Sequence, residues 1–341
     1  MRKRWLTLAA LAVATVLLAS LFAALRGGSA SAAHKGAFSA CLVTDIGGLN
    51  DHGFNHLAYM GLKEAESKYG VTGNVLQSKS AADYIPNFQA CIRDKAGITI
   101  GIGFNMQDAM NSIATSYPQD KFAIVDVDVT GLKNKPKNVE GLLFREQQAG
   151  YLVGYAAGLW AKMHNATAVG SVGGEKIPPV DRYIAGFQYA AKKADPGIKT
   201  LNVYSQDFVA QNKCKEDALN EIAQGADVVF QVAGGCGLGV LDAAHEKGVF
   251  GIGVDADQGY LGNWVMTSAL KRVDVAVADA IHDAKTGTLK GGKNIQYGAN
   301  VNGVGYGKWS SKVPASIKTA VAKQWALLKA NKIKGIPTTV K

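Results

Sequence analysis

Side chains that could bind a polar ligand recur where predicted strands end. They stand at five such ends, in the order Thr44-Asp45, Phe104-Asn105, Asp126-Val127-Asp128, Gly234-Gly235-Cys236-Gly237 and Asp255-Ala256-Asp257-Gln258. The carboxyl ends of parallel strands share one edge of a sheet, and open α/β sheets bind ligands there. Asp and Asn oxygens accept hydrogen bonds from the hydroxyls of a neutral ligand. The competing interpretation is that each side chain only caps the next helix, but recurrence in both halves of the chain favours a site.

Two phenylalanines and a lysine lie close to these ends. Phe54 begins the apolar stripe of the first predicted helix, so it fits a core position and a ligand platform equally well. Phe208 stands in the polar segment 205–216, where an aromatic ring has little core to enter. Lys271 follows an apolar run, and the competing interpretation for it is a solvated loop charge. These three residues are candidates to complete the site.

The sequence lacks the usual catalytic and cofactor-binding patterns. The Gly-rich segment 234–239 fails the dinucleotide fingerprint at its third glycine, and no GxSxG, HExxH or P-loop pattern occurs. Asp255 and Asp257 could supply the two carboxylates of glycoside cleavage and would point alike, but nothing else marks an active site. His52 and His56, four apart on a predicted helix, fit a surface pair better than a metal site. We therefore predict that the protein is not an enzyme and uses no cofactor or metal.

Short β-branched runs alternate with helix-like segments over most of the chain. The predicted strands are 38–44, 73–78, 97–104, 121–127, 166–172, 199–205, 226–233 and 248–254. Each strand and its helix take about 25–30 residues, which indicates right-handed βαβ crossovers and parallel sheets covered on both faces. Four units precede residue 140 and four follow residue 165. The pattern predicts an α/β fold of two doubly wound, Rossmann-like lobes with a ligand cleft between them.

The first helix has the clearest periodicity. Small and apolar residues recur at helical spacing from Phe54 to Ala65, with Asn50 or Asp51 as the N-cap and Gly70 as the stop.

Segment 146–165 separates the two halves. Its glycines at Gly150, Gly154 and Gly158 have small-xxx-small spacing, but its uncharged core is too short to span a membrane, so we expect a helix packed closely on a sheet. One more strand and helix follow the eighth strand, and 294–307 is too rich in Gly and Asn for a regular core element. We expect the tail to cross back between the lobes and to end in a helix at roughly 315–330.

The N-terminal segment has the parts of a secretory signal. A basic start, an apolar run from Trp5 to Leu25 and the small-residue site Ala30-Ser31-Ala32 follow one another. We expect cleavage after Ala32 and export to the periplasmic or extracellular face of the plasma membrane. The alternative is an uncleaved anchor, because the apolar run would just span a bilayer.

These features divide the chain into a signal and two lobes. Residues 1–32 form the signal, 37–145 with about 270–295 form the first lobe, and 146–269 with about 296–341 form the second.

The net charge of +10 does not indicate a nucleic-acid partner. Arg2, Lys3, Arg4 and Arg26 lie in the signal region, so the exported chain carries +6. The remaining lysines form no basic stripe with interleaved aromatics, which argues against nucleic-acid binding.

The four cysteines lie in the exported part and permit two disulfides in any of three pairings. Cys41–Cys91 with Cys214–Cys236 keeps each bridge within one half of the chain, and we predict that pairing.

The stretch VTDIGGLNDHGFNHLAYMGL at 43–62 carries a strand ending in Thr-Asp and then an Asp-x-x-Phe-Asn element. It is followed, over a span of roughly 37–340, by GIGFNMQDA, FAIVDVD, GLLFREQQAGYLVGYAAG, FQVAGGCGLGV, GVDADQ, TSALKRVDVAV and GIPTTV. In this order, the stretches resemble the basic membrane protein family of ABC-transporter substrate-binding proteins, which is similar to the purine nucleoside receptor lipoproteins. The family is mostly lipid-anchored through an N-terminal Cys, and this sequence has none near the cleavage site.

The resemblance implies the type I periplasmic-binding-protein fold and capture of a purine nucleoside for an ABC-transporter permease. It implies that Phe54 and Phe208 sandwich the base. It also implies two sets of polar contacts, with Asp45, Asn55, Asn105 and Asp126 on the base side and Gly235, Asp255 and Lys271 on the ribose. We expect a monomer that leaves its ligand unchanged. The alternatives are an exported sensor, a nucleoside-acting enzyme, or a binding protein for another solute such as riboflavin or a sugar.

Overall fold

The computed structural model describes residues 37–341, so the predicted signal at 1–32 lies outside the described residues. The strands are β1 Ser39–Thr44, β2 Thr72–Leu76, β3 Ile98–Ile102, β4 Phe122–Val125, β5 Val139–Phe144, β6 Ala168–Gly173, β7 Lys199–Thr200, β8 Val203–Tyr204, β9 Ala226–Val232, β10 Phe250–Asp255, β11 Val265–Lys271, β12 Asn294–Tyr297 and β13 Val304–Tyr306. The helices are α1 Phe54–Tyr69, α2 Tyr84–Arg93, α3 Gln107–Ser116, α4 Glu146–His164, α5 Pro178–Ala194, α6 Gln211–Ala223, α7 Leu238–Lys247, α8 Val273–Thr286 and α9 Ala315–Lys329.

The strands form two sheets of the kind the sequence predicts. The first has the order β12-β5-β4-β3-β1-β2 and the second β13-β11-β10-β9-β6-β7, with β8 also paired to β6. Every pairing is parallel except that of β11 with β13. Strands such as β3 and β4 are buried along their whole length, because helices cover both sheet faces. The α/β, doubly wound prediction is confirmed. We call each sheet with its helices a lobe.

Three crossovers connect the sheets, at Arg145 after β5, at Arg272 after β11, and between β12 and β13. Their backbones are tied together, since Arg145 N donates to Tyr297 O at 3.0 Å and Arg272 N donates to Gly303 O at 2.9 Å. Lys271 still belongs to the second sheet and Tyr297 to the first, and the lobe boundaries stay a prediction. The crossovers therefore form a hydrogen-bonded hinge region.

The expectation for 294–307 was wrong. This segment provides an edge strand to each sheet, β12 to the first and β13 to the second. An edge strand pairs through its backbone on one side and needs few apolar side chains. Gly303 is required by the close approach, because a Cβ there would lie 2.5 Å from the Cβ of Tyr297.

The glycine face of α4 packs on helix α5, whereas α4 also contacts β11 and β13, so the expected sheet contact exists but the glycines do not make it. A Cβ on Gly150 would lie 2.0 Å from Tyr183 O, and one on Gly154 would lie 2.2 Å from Phe187 O. Both carbonyls belong to α5. Helix pairs with small residues at the contact bring their backbones together in this way in water as in membranes.

Local signals around the first helix were partly correct. Gly70 ends α1 in the left-handed conformation at φ 60°, as predicted. The helix begins at Phe54, and the Asp51 carboxylate accepts from the backbone N–H groups of Gly53, Asn55 and His56 at 2.7–3.1 Å. His52 precedes the helix at φ 51°, so the expected His pair on one helix is wrong.

Two strand expectations were also incomplete. β5 is a fifth strand of the first lobe that the count of four units before residue 140 omitted. The predicted strand at 199–205 is broken into β7 and β8.

The cysteines are joined in the predicted pattern. Cys41 on β1 is bonded to Cys91 on α2, and Cys214 on α6 is bonded to Cys236 in the turn before α7. Each bridge stays within one lobe. Bridges of this kind stabilise a fold by about 2–4 kcal/mol, mainly through the unfolded chain.

One buried carboxyl in the second lobe makes stability depend on pH. Glu221 on α6 presses against β6, where a Cβ on Gly170 would lie 2.2 Å from its Oε2 atom. Neither carboxyl oxygen has a hydrogen-bond partner among residues 37–341. Burial raises the pKa of Glu221 to about 8, and the charge of Asp217 adds to the shift.

Glu221→Gln is expected to match the wild type in stability at about pH 5 and to exceed it at about pH 9. The folded-state pKa is raised, so the wild type is at full stability below the ordinary Glu pKa and loses stability as pH rises through 8. The loss reaches at most about 5 kcal/mol, at 1.36 kcal/mol per pKa unit. Urea unfolding measures it, with Glu216→Gln on the exposed side of α6 as control. A difference that stays constant with pH would contradict the prediction.

Candidate ligand-binding site

A cleft of about 640 Å³, including its opening to solvent, lies where the carboxyl ends of the two sheets face each other. All the residues predicted to contact a ligand line it, namely Asp45, Phe54, Asn55, Asn105, Asp126, Phe208, Gly235, Asp255 and Lys271. Residues that the sequence reasoning did not select also line it, among them Asp51, Tyr183, Ile177 and Val180.

Two strand-end aspartates reach the cleft through an unusual backbone. Asp126 follows β4 at φ 71°, and Asp255 ends β10 at φ 61°. The left-handed conformation is uncommon for residues other than glycine and costs free energy, so it marks positions that the surrounding structure holds in place. Both side chains are at least nine-tenths buried.

The aspartates two residues further on are caps. Asp128 Oδ1 accepts from Thr130 N at 2.9 Å, and Asp257 Oδ1 accepts from Gly259 N at 3.3 Å. The capping interpretation is therefore correct for these two positions. The expectation that Asp255 and Asp257 point alike was wrong, because the left-handed turn at Asp255 breaks the regular alternation of the strand.

Lys271 is buried at the base of the cleft, with 2% of its surface exposed. Its Nζ atom donates to Asp126 Oδ2 at 2.7 Å and lies 3.1 Å from Glu146 Oε1. Nζ also lies 5.0 Å from the ring centroid of Phe54 and 4.9 Å from that of Phe144, in cation–π range. Burial opposes the charged form, but the carboxylates of Asp126 and Glu146 outweigh it and raise the pKa of Lys271. The solvated-loop interpretation is wrong.

Glu146 was missed by the sequence reasoning. It begins α4, is fully buried, and lies between Lys271 and Arg182, whose Nη1 atom is 3.5 Å from Glu146 Oε2. Burial raises the pKa of Glu146, and the charge of Lys271 opposes that shift. The available signal was an acid at the start of an otherwise apolar helix, which the helix dipole alone also explains.

Asp255 sits beside this group. Tyr183 Oη donates to Asp255 Oδ1 at 3.1 Å. Burial raises the pKa of Asp255 to about 7, although the Lys271 charge pulls it down. Near neutral pH, this carboxyl can therefore gain or lose a proton, and a ligand hydroxyl that donates to it would favour the ionised form.

A second polar group lines the first-lobe side. Asn55 Nδ2 donates to Asp45 Oδ1 at 2.7 Å and to Asp51 Oδ2 at 3.1 Å. Asn55 Oδ1 is buried and has no partner among residues 37–341. Burial raises the pKa of Asp45 to about 6, while the Asn55 bond lowers it. Asp126 Oδ1 is likewise buried without a partner in this part of the chain.

The two lobes touch across the cleft. Asn105 Nδ2, after β3, donates to Glu175 Oε2, after β6, at 2.8 Å. The rings of His52 and Tyr260 approach to 6.3 Å between the same lobes. The structure is thus in a closed arrangement, and Glu175 is a second residue that sequence reasoning missed.

Glycines make room for Phe208. A Cβ on Gly174 would lie 2.2 Å from the Phe208 ring, and one on Gly235 would lie 3.4 Å from its carbonyl oxygen. Cys236 N donates to that same carbonyl at 3.0 Å. Gly174, after β6, therefore makes room for the ring, and the Gly-rich turn after β9 holds the Phe208 backbone.

The described part of the chain lacks a metal-binding cluster and a membrane-spanning helix. Residues 37–341 contain no group of three or more His, Cys, Asp or Glu side chains placed to hold a metal ion. Within the same range, no helix has the length and apolar character needed to cross a membrane.

Comparison with known proteins identifies the family. The family "ABC transporter substrate-binding protein PnrA-like" matches residues 38–338. The "CD4+ T-cell-stimulating antigen" of Listeria monocytogenes is 34% identical over 306 residues, covering 83% of this chain and 84% of that protein. The "ABC transporter nucleoside-binding protein BmpA" of Lactococcus lactis is 33% identical over 345 residues, covering 95% and 96%.

The fold has a solved counterpart. A solute-binding protein of an ABC transporter system from Aeropyrum pernix aligns with a TM-score of 0.78 at 25% identity, covering 88% of this chain and 94% of that structure. The two parallel sheets and their cleft are those of the periplasmic-binding-protein fold, as the sequence resemblance implied. The chain belongs to the PnrA-like family of ABC transporter substrate-binding proteins.

Proposed function

We propose that this substrate-binding protein captures a purine nucleoside in its inter-lobe cleft and delivers it, chemically unchanged, to the permease of an ABC transporter. The relative from Lactococcus lactis is named a nucleoside-binding protein, which supports the ligand class. We further propose that capture takes place outside the plasma membrane, because residues 1–32 have the pattern of a secretory signal and the described chain is disulfide-bonded.

One observation carries the proposal. The same cleft holds two aromatic rings, Phe54 and Phe208, and two buried acceptor oxygens, Asn55 Oδ1 and Asp126 Oδ1, that have no partner within residues 37–341. Buried acceptors without partners are costly, so a ligand with donors would relieve them. A nucleoside combines a flat base for the rings with hydroxyl and ring N–H donors for the acids. Asp126 contacts Lys271 directly, so the acid proposed for the base and the lysine proposed for the ribose are hydrogen-bonded to each other.

The magnitudes allow micromolar binding. Stacking on an aromatic ring contributes about 1–3 kcal/mol per base, and a hydrogen bond to a charged group about 1.5–3 kcal/mol. Micromolar affinity requires about 8 kcal/mol. Two rings and two ionised acids reach that figure after the cost of ordering the ligand.

Thermal melting with inosine, guanosine and adenosine tests the proposal. A bound nucleoside at about 100 times its dissociation constant should stabilise the fold by about 2.7 kcal/mol. Riboflavin, D-ribose and an arabinose serve as comparison ligands. If only riboflavin or a sugar raises the melting temperature, the nucleoside assignment is wrong while the family remains.

The enzyme alternative is tested in the same samples. Chromatography after a long incubation with inosine should find no free hypoxanthine. Release of the base at a rate proportional to protein concentration, and lost on heat denaturation, would contradict a pure binding role.

A further inference from the structure

Lys271 is contacted by carboxylates from both lobes. Asp126 follows β4 of the first sheet, whereas Glu146 begins α4, which packs on α5 of the second lobe. Lys271 itself ends β11 of the second sheet. The Lys271–Asp126 hydrogen bond therefore spans the lobes, and the Lys271–Glu146 ion pair lies within one lobe.

The two carboxylates therefore respond differently when the lobes move apart. Opening at the crossovers separates the carboxyl ends of the sheets and stretches the Asp126 contact. Glu146 moves with Lys271, and its ion pair can persist. Glu146 has no other short contact than Lys271 and the Arg182 guanidinium among the described residues. It does not line the cleft, so it reaches a ligand only through Lys271.

We propose that Glu146 is a positioning residue of the binding site, which holds the Lys271 ammonium in its ligand-facing place in the second lobe. This inference rests on the proposed function for its binding readout. Without Glu146, the Lys271 ammonium would be held by Asp126 alone. Because the lysine side chain is flexible, the ammonium would then take different positions in the open and closed arrangements. A fixed ammonium lowers the ordering cost of binding.

Two variants separate position from charge. Glu146→Gln removes the charge and keeps the shape, whereas Glu146→Asp keeps the charge and withdraws the carboxylate by one methylene. If Glu146 only neutralises Lys271, the aspartate variant should behave as wild type. If it positions Lys271, both variants should weaken inosine binding, by about tenfold for Gln and several-fold for Asp. Glu140→Gln is the matched control, because Glu140 is equally buried on β5 but bonds Lys290 N outside the cleft.

A ligand-free measurement keeps the inference testable by itself. In protein labelled with ¹⁵N-lysine, the Lys271 ammonium signal is assigned by its loss in Lys271→Arg. Both Glu146 variants should shift or broaden that signal in the absence of ligand, and Glu140→Gln should leave it in place.

The outcomes are distinct. An unmoved Lys271 signal in folded Glu146→Gln, or inosine affinity within twofold of wild type in both Glu146 variants, would overturn the positioning role. If the Glu146 variants shift the Lys271 signal but the wild-type protein binds no nucleoside, the proposed ligand is overturned and the positioning role stands.

Discussion

Lys271→Met should lower the free energy of unfolding by about 3–5 kcal/mol. The substitution leaves Asp126 and Glu146 buried together, and in the described part of the chain only the more distant Arg182 balances them. Breaking a buried ion pair from one side is costly because the remaining charge keeps its desolvation penalty. Urea unfolding at neutral pH measures the loss.

The loss in Lys271→Met should shrink in acid. Burial raises the pKa of Glu146, so this stranded carboxyl takes up a proton as pH falls, and the stability gap to wild type narrows.

Lys215→Met is the matched control. Lys215 also contacts two carboxylates, Asp242 and Glu246, but on the exposed surface of α6. Exposed pairs are screened by water and salt, so this variant should unfold at nearly the wild-type urea concentration. If the two lysine substitutions lower the free energy of unfolding equally, burial of the Lys271 ion pairs does not increase their contribution to stability.

Asp255→Asn should weaken nucleoside binding tenfold to a hundredfold without destabilising the ligand-free protein. The loss corresponds to one charged hydrogen bond of about 1.5–3 kcal/mol. Asn keeps the size of the side chain and an oxygen that can still accept from Tyr183. Calorimetric titration with inosine gives the affinity, and thermal melting of the ligand-free protein gives the stability.

The pH dependence of the same variant follows from the raised pKa. Asp255 has a folded-state pKa of about 7, above its ordinary 3.8, so the wild type is at full stability below about 3.8 and loses stability as pH rises through 7. Asp255→Asn removes that loss, so the ligand-free variant should equal or exceed the wild type at about pH 8.

Asp257→Asn provides the contrast within the same turn. Its carboxylate caps Gly259 N and Lys308 N outside the cleft. This variant should keep wild-type affinity for inosine. A comparable loss of affinity in both variants would contradict the assignment of Asp255 to the ligand.

Much of the site was predictable because strand ends are visible in the sequence. Asp45, Asp126 and Asp255 each follow an apolar run, and the carboxyl ends of parallel strands converge on one edge. Helices α1 and α9 were also predictable, because the apolar face of a helix repeats at a regular spacing within a short stretch of sequence. The edge strands β12 and β13 were missed because backbone pairing leaves little trace in side-chain type.

Glu146, Tyr183 and Glu175 could not be selected from their local sequence. Tyr183 lies in the middle of α5 and donates a hydrogen bond to Asp255 at the end of β10. Glu175 accepts a hydrogen bond from Asn105 of the other lobe, a contact that requires the lobes to be closed. Contacts between residues so far apart in the chain depend on how whole elements pack, and no short motif encodes them.

The sequence by itself determined the α/β class, the two-lobe plan and the strand-end residues that line the cleft, because these follow from local periodicity and from the common polarity of parallel strands. Only the tertiary structure decided which aspartates cap and which face the cleft, and that Lys271 is buried between Asp126 and Glu146. The physical reason is that burial and charge pairing are properties of a three-dimensional neighbourhood. A lysine after a strand has the same sequence signature whether water or two carboxylates surround it.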